Sequence, residues 1–206
     1  MIIIIITMNN KLKQLHRFWY FSNSFRKLLS EVKSYDILDV WINIWFAKNE
    51  KQASIDEYLK LFEPLLDEFI NYETDNVYEL VTLIVLYDQI PRNIYRGIPA
   101  AYEYDYIANN YIKQLLPYFD DLHLIFKLTI IIGLVHSEDL DDQNINIELL
   151  KKIKKNRLCS NELYLTVKQI TINHRERIEL FGRIPERNII LNRRSTPEEL
   201  SYMDAM

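Results

Sequence analysis

Glycine is almost absent from this chain: three residues in 206, alongside six prolines. Tight turns between strands draw on glycine because a residue without Cβ reaches positive φ at no steric cost. An all-β protein of this length needs many such turns, so the scarcity directs the chain toward long helices with few breaks. Hydrophobic residues make up 49% of the sequence, enough to build a core and well above the range of chains that stay unfolded.

Apolar residues recur with a helical period along nearly the whole sequence. Leu12, Leu15, Phe18 and Trp19 mark a first helix, Phe25, Leu28, Leu29 and Val32 a second, and Ile37, Val40, Trp41, Ile44 and Trp45 a third. Ser54 with Glu57 three residues later is a capping-box signature. It opens a helix through Tyr58, Leu61, Phe62, Leu65, Leu66 and Phe69, with Pro64 as its blemish. Asp75 or Asn76 caps the apolar run from Val77 to Tyr87, whose length favours a helix buried on most sides over a strand. Pro91 disfavours helix at Ile90, which makes Asp88 to Gly97 a turn-rich connection.

Helical patterns then cover roughly 100–116, 121–136, 143–155 and 160–181. Gly182 sits where a helix C′ residue belongs, and Ser195 caps a last short helix opening on Pro197 and Glu198. No stretch alternates with period two between turn dipeptides, and no Ser/Gly/Pro-rich linker divides the chain. The fold class read from this is all-α: one domain of about eight to ten helices over residues 12–206, stacked in antiparallel succession without a clean repeat of about 34 residues. Residues 1–11 read as a poorly ordered extension, with Met8 as an alternative start. Phe18-Trp19 and Trp45-Phe46 read as core anchors.

A net charge of −4 and a pI near 5.6 supply no basic field for a nucleic-acid partner. The most basic stretch, Lys151, Lys152, Lys154 and Lys155, follows an apolar helical pattern and reads as a solvated face near a helix end. The single cysteine, Cys159, excludes an intramolecular disulfide and suits a reducing, cytoplasmic compartment. The run Ile2 to Ile6 lacks a basic n-region and a cleavage site, so it is no signal peptide. It and Leu128 to Val135 are both far short of the roughly 20 apolar residues that span a bilayer.

Three polar clusters interrupt the apolar pattern. The first is Asp88, Gln89, Arg92 and Asn93, with Arg96 and Gly97 behind. The second is His136, Glu138 and Asp139, with Gln143 beyond. The third is His174-Arg175, then Arg183, Glu186, Arg187, Asn188 and Arg193. The first and third share an Ile-Pro, Arg, Asn arrangement. If the second is helical, His136, Asp139 and Gln143 lie on one face. With His174 from another helix they present two imidazoles and a carboxylate, a ligand set for zinc, iron or manganese. They equally form an acid/base pair in which Asp139 or Glu138 orients His136. Arginines at helix ends bind carboxylate or phosphate as forks, or pair internally with Asp88, Glu138, Asp139 and Glu186.

This succession of motifs resembles the bacterial family called domain of unknown function 924. The resemblance rests on Phe18-Trp19, Trp45-Phe46, Asp56 and Phe62, then Leu86 to Gly97 with Tyr87 between the family's Leu and Asp. It continues through His136 to Asp139, Gln143, His174-Arg175, Phe181 to Arg183, Arg187-Asn188 and Ser195 to Glu199. It implies a compact helical fold similar to tetratricopeptide-like superhelices, and no activity, cofactor or substrate. Two departures stand out: Glu186 occupies a position where the family usually has His, and the stretch between Ser22 and Ser34 is longer than the family's connection.

Three functions follow as expectations. The first is a binding module with an Arg/His-lined pocket for a small anionic ligand or an acidic partner group, built from Arg92, Arg96, Arg183 and Arg187 with His136 and His174. The second is a metal-dependent or acid/base hydrolase using His136, Asp139 and His174, with Glu186 as a further ligand. The third is a scaffold that docks a protein partner between helix pairs. Cofactor and oligomeric state stay open.

Overall fold

The computed structural model describes residues 8–21 and 34–205. Among these residues there are helices and turns and no strand. The helical pattern at Phe25 to Val32, the Ile2 to Ile6 run and the Ser22–Ser34 connection lie outside the described residues, apart from Ser34 at a helix start. Helix α1 spans Asn10–Phe21 and buries Leu12, Leu15, Trp19 and Tyr20. Met8 packs against the core and the Asn9 amide donates to Glu79 at 2.6 Å, so the fold begins before residue 12.

Helix α2 (Ser34–Val40) runs into a π-helical turn at Trp41–Trp45, and α3 covers Asn49–Leu59. The capping box expected at Ser54 does not form. The helix is already under way there, and the Ser54 hydroxyl donates back to the Glu50 carbonyl at 3.0 Å. Pro64 is more than a blemish: the chain tightens to a 3-10 turn at Lys60–Phe62 and restarts as the short α4 (Leu65–Glu68), because Pro64 has no N–H to continue the ladder. Of the aromatic anchors Trp19 is buried and Trp45 stacks on it, but Phe46 lies beyond the π turn and is 40% exposed.

Helix α5 (Val77–Ile84) is capped by Asn76, whose Oδ1 accepts from the Tyr78 amide at 3.0 Å. The turn-rich connection expected after it is instead mostly helical. A π turn at Val85–Gln89 leads straight into α6 (Ile90–Ile94). In the π turn the Ile90 amide reaches the Val85 carbonyl, one residue further back than in an α-helix. Widening the ladder there makes room for Pro91, and the Arg92 and Asn93 side chains donate to the Asp88 and Gln89 carbonyls, both at 2.7 Å.

A 3-10 turn at Pro99–Tyr102 precedes α7 (Asp105–Leu115). Helix α8 (Leu124–Val135) is buried along its whole length, with α5, α7, α9 (Leu140–Ile153) and α10 (Asn161–Phe181) packed around it. Its Gly133 permits the close approach of α7: a Cβ there would stand 2.5 Å from Ile112 Cδ1. Gly182 ends α10 in the left-handed region at φ 65°. The last helix, α11 (Pro197–Asp204), is capped by Thr196 rather than Ser195, in a capping box with Glu199. Among the described residues no helix is long and apolar enough to cross a membrane.

Candidate functional site

Helix α8 delivers its C-cap residue, His136, to the side chains of the π turn that ends α5. His136 Nδ1 donates to Asp88 Oδ1 at 2.8 Å, and Asp88 also receives Arg92 Nη1 at 3.0 Å and the amide of Gln89. Burial works to raise the Asp88 carboxyl, but Arg92 and His136 beside it win and hold it well below the usual carboxylate range. Burial, then the charge of Arg92, lower the His136 pKa, so the ring is neutral beside an ionised carboxylate.

Arg92 forms a second, two-pronged bond to Asp105, at 2.6 and 2.7 Å. From the other side Arg187 approaches the same carboxylate, only to 3.7 Å. The two guanidinium groups stand 5.5 and 4.8 Å from the centre of the Tyr102 ring. The Ile-Pro echo thus brings two arginines to one aspartate and one tyrosine. Neither Tyr102 nor Asp105 was among the expected site residues; both sit in a stretch rich in tyrosine and acid whose pattern carries no distinguishing signal.

Arg187 is only 8% exposed, yet among the described residues its side chain makes no hydrogen bond. Burial, then the neighbouring charge of Arg92, push its pKa down. It lines a cavity of about 450 Å³ together with Arg92, Arg96, Tyr102, His136, His174 and Glu186. A second cavity of about 590 Å³ adjoins at Tyr102, His136 and Arg187, and is lined by Asp88, Asp105, Asn109 and Glu138. His174 donates Nδ1–H to the Ile170 carbonyl at 2.9 Å, and burial pushes its pKa down to about 4. The three polar clusters therefore meet, through Asp88, Arg92, His136, His174, Glu186 and Arg187.

Other expected residues do other work. His136, Asp139 and Gln143 do not share a helical face, because α8 stops at Val135 and a new helix starts after Asp139. Asp139 is the N-cap of α9, accepting from the Asp141 and Asp142 amides at 2.8 and 3.2 Å. Gln143 reaches back to cap the carbonyl end of α8, including the Ser137 carbonyl at 2.7 Å. The carboxylate that orients His136 is Asp88, not Asp139 or Glu138. Glu138 instead receives Arg193 at 2.6 Å and the Ile184 amide at 2.8 Å, tying the 184–193 segment to the α8–α9 turn. Arg96 pairs with Asp56 at 3.2 Å and Asn93 accepts from it. Arg175 lies away from the cavity, paired with Glu179 at 2.8 Å. Glu186 pairs with Arg177 at 2.6 Å. Among the described residues no three His, Cys, Asp or Glu side chains are grouped to hold a metal ion. Cys159 is half-buried, which pushes its thiol up to about 11.

Arg183 does not line the cavity either. It donates to the buried Glu199 at 2.6 and 2.9 Å, and Asn188 donates to the same carboxylate at 3.1 Å, so both residues fasten α11. Glu199→Gln should loosen this corner selectively. Amide hydrogen exchange in α11 is expected to speed up at least about tenfold while α8 stays protected. Unchanged protection of α11 would show that the ion pair does not hold it.

Fold and site together define an all-α protein in which a buried Asp–His–Arg network abuts an arginine-lined cavity. Residues 15–206 match the family described as bacterial protein of unknown function (DUF924), and the chain belongs to that family. It is similar to a solved protein of unknown function from Agrobacterium tumefaciens, with a TM-score of 0.64 over 84% of this chain and 97% of that one. At 23% identity that likeness is one of fold. No curated protein matches.

Proposed function

We propose that this protein is a binding module whose cavity between the Pro99–Tyr102 turn, the end of α8 and the 184–191 segment takes a small anionic ligand at Arg187. The observation that carries this reading is the buried Arg187 guanidinium without a hydrogen bond. Buried charged donors are ordinarily satisfied. Arg92 and Arg96 have carboxylate partners within hydrogen-bonding distance; the nearest carboxylate to Arg187 lies at 3.7 Å and is already engaged by Arg92. An oxoanion entering the cavity would complete the donor set.

Arg187→Met tests it, since methionine keeps much of the volume and removes the charge. A bound anion at about 100 times its dissociation constant adds roughly 2.7 kcal/mol to the wild type. That stabilisation should vanish in the variant, while the ligand-free melting temperature holds or rises, because the buried cation lacks a close partner. An undiminished thermal shift in Arg187→Met would end the reading.

The Asp88–His136 pair favours a second reading, an acid/base hydrolase. A buried carboxylate fixes the imidazole tautomer and leaves Nε2 as the basic nitrogen, the arrangement a general base requires. Turnover of an anionic ester that disappears in His136→Gln would support it. Binding without turnover leaves the binding module.

A further inference from the structure

His136 and His174 line the cavity as hydrogen-bond acceptors. The Ile170 carbonyl can only accept, so the Nδ1 of His174 that lies 2.9 Å from it carries the proton. The Nδ1 of His136 faces the ionised Asp88 carboxylate at 2.8 Å, and the same assignment follows. In a neutral imidazole one nitrogen donates and the other accepts, and burial keeps both rings neutral. Each Nε2 therefore holds a lone pair, and among the described residues no protein group donates to either. Arg187, in the same cavity, offers N–H groups that no acceptor takes up.

The cavity thus presents unused donors and unused acceptors together. Sulfate, which has only acceptors, would satisfy Arg187 but set its oxygens against two imidazole lone pairs, and an unmatched polar contact in a buried site is costly. Phosphate has the same tetrahedral shape and carries O–H. We infer that the site selects protonated phosphate, free or as a monoester, over sulfate, with unprotonated oxygens accepting from Arg187 and O–H donating to Nε2 of His136 or His174. The inference rests on the anion-site reading above and adds its selectivity. Glu186 lines the same cavity with its carboxylate held by Arg177, and it further disfavours a ligand of higher negative charge.

Isothermal titration near pH 6, where a phosphate monoester keeps a substantial protonated fraction, compares inorganic phosphate, a simple phosphate monoester and sulfate. Phosphate or its monoester should bind at least about tenfold more tightly than sulfate, since a site built for a hydrogen-bond partner rejects the isostere lacking it. The preference should shrink to less than about threefold in His174→Gln, whose amide can turn a donor toward the ligand. Whichever of phosphate and monoester binds more tightly tells whether the ligand is free or esterified. Sulfate binding as tightly as phosphate, with both lost in Arg187→Met, would overturn the selectivity and leave the anion site standing. Neither anion binding at millimolar concentration would overturn the anion site itself. If His174→Gln does not fold, the wild-type ratio of phosphate to sulfate still decides.

Discussion

Acidifying the protein from about pH 7 to about pH 4 should remove about 5 kcal/mol of folding stability, and two buried histidines account for most of it. His16 sits in the core against Tyr20, Tyr78 and Phe126, and burial pushes its pKa down to about 4. The Thr82 hydroxyl donates to the Tyr78 carbonyl at 2.6 Å, so it accepts from His16 Nδ1 at 2.8 Å and the ring is neutral. His174 is lowered to the same value, again by burial. An unfolded histidine takes up its proton near pH 6.5, whereas these two resist until about 4. Their contribution is therefore complete above the unfolded value and is lost as the pH falls through that window. Asp88 and Glu199 titrate lower still, so their loss follows later. Urea melts across the pH series should show the decline, and His16→Leu should flatten it by about half. A stability that does not change from neutral pH to pH 4 would mean that these rings are protonated in the fold or reached by water.

The largest effect of a single substitution is expected at Asp88. Its carboxylate takes hydrogen bonds from His136 and Gln89, forms an ion pair with Arg92 at 3.0 Å, and is 2% exposed. Asp88→Ala leaves a buried guanidinium with half its counter-charge and an imidazole N–H with no acceptor, a change that costs about 3–5 kcal/mol. For a chain of this length that lowers the melting temperature by about 10 °C. Asp88→Asn should recover little, because it turns an amide donor toward three donors. A melting temperature within about 2 °C of wild type for either variant would show that the network is not what joins α5 to α8.

Helix positions were legible because the apolar spacing that defines each stripe is the same spacing that buries it. The run from Val77 to Tyr87 and the stretch before His136 are the clearest cases; Asn76 caps the first, and Gly182 ends α10, as their chemistry dictates. Boundaries were less legible where a side chain has two uses. Asp139 suits a ligand set or an N-cap, and acids at Asp141 and Asp142 in the first turn already favoured the cap. Pro91 reads as a helix stop unless a π turn widens the ladder before it, and nothing local announces that turn. In the site, Arg92, His136, His174 and Arg187 were identifiable as polar residues interrupting apolar helices. Which acid serves which base was not, because Asp88 meets His136 across 48 positions of sequence. Arg183 and Arg187 look alike in sequence; only the fold shows that Arg183 is hydrogen-bonded to Glu199 while Arg187 reaches Asp105 no closer than 3.7 Å.

The π turn at Val85–Gln89 also sets a constraint on length. It is a helix carrying one residue more than α-helical bonding needs, and one residue corresponds to about 100° of rotation about the axis. Upstream of it, α5 presents Leu80, Val81, Leu83 and Ile84 to the core; downstream, Asp88 and Arg92 face His136 and Asp105. Both facings depend on that surplus residue. Deleting it would remove the widened ladder that accommodates Pro91 and turn the polar residues away from their partners. Adding another would turn them a second time. The segment is therefore intolerant of any change in the number of its residues, a phase relation between core and cavity.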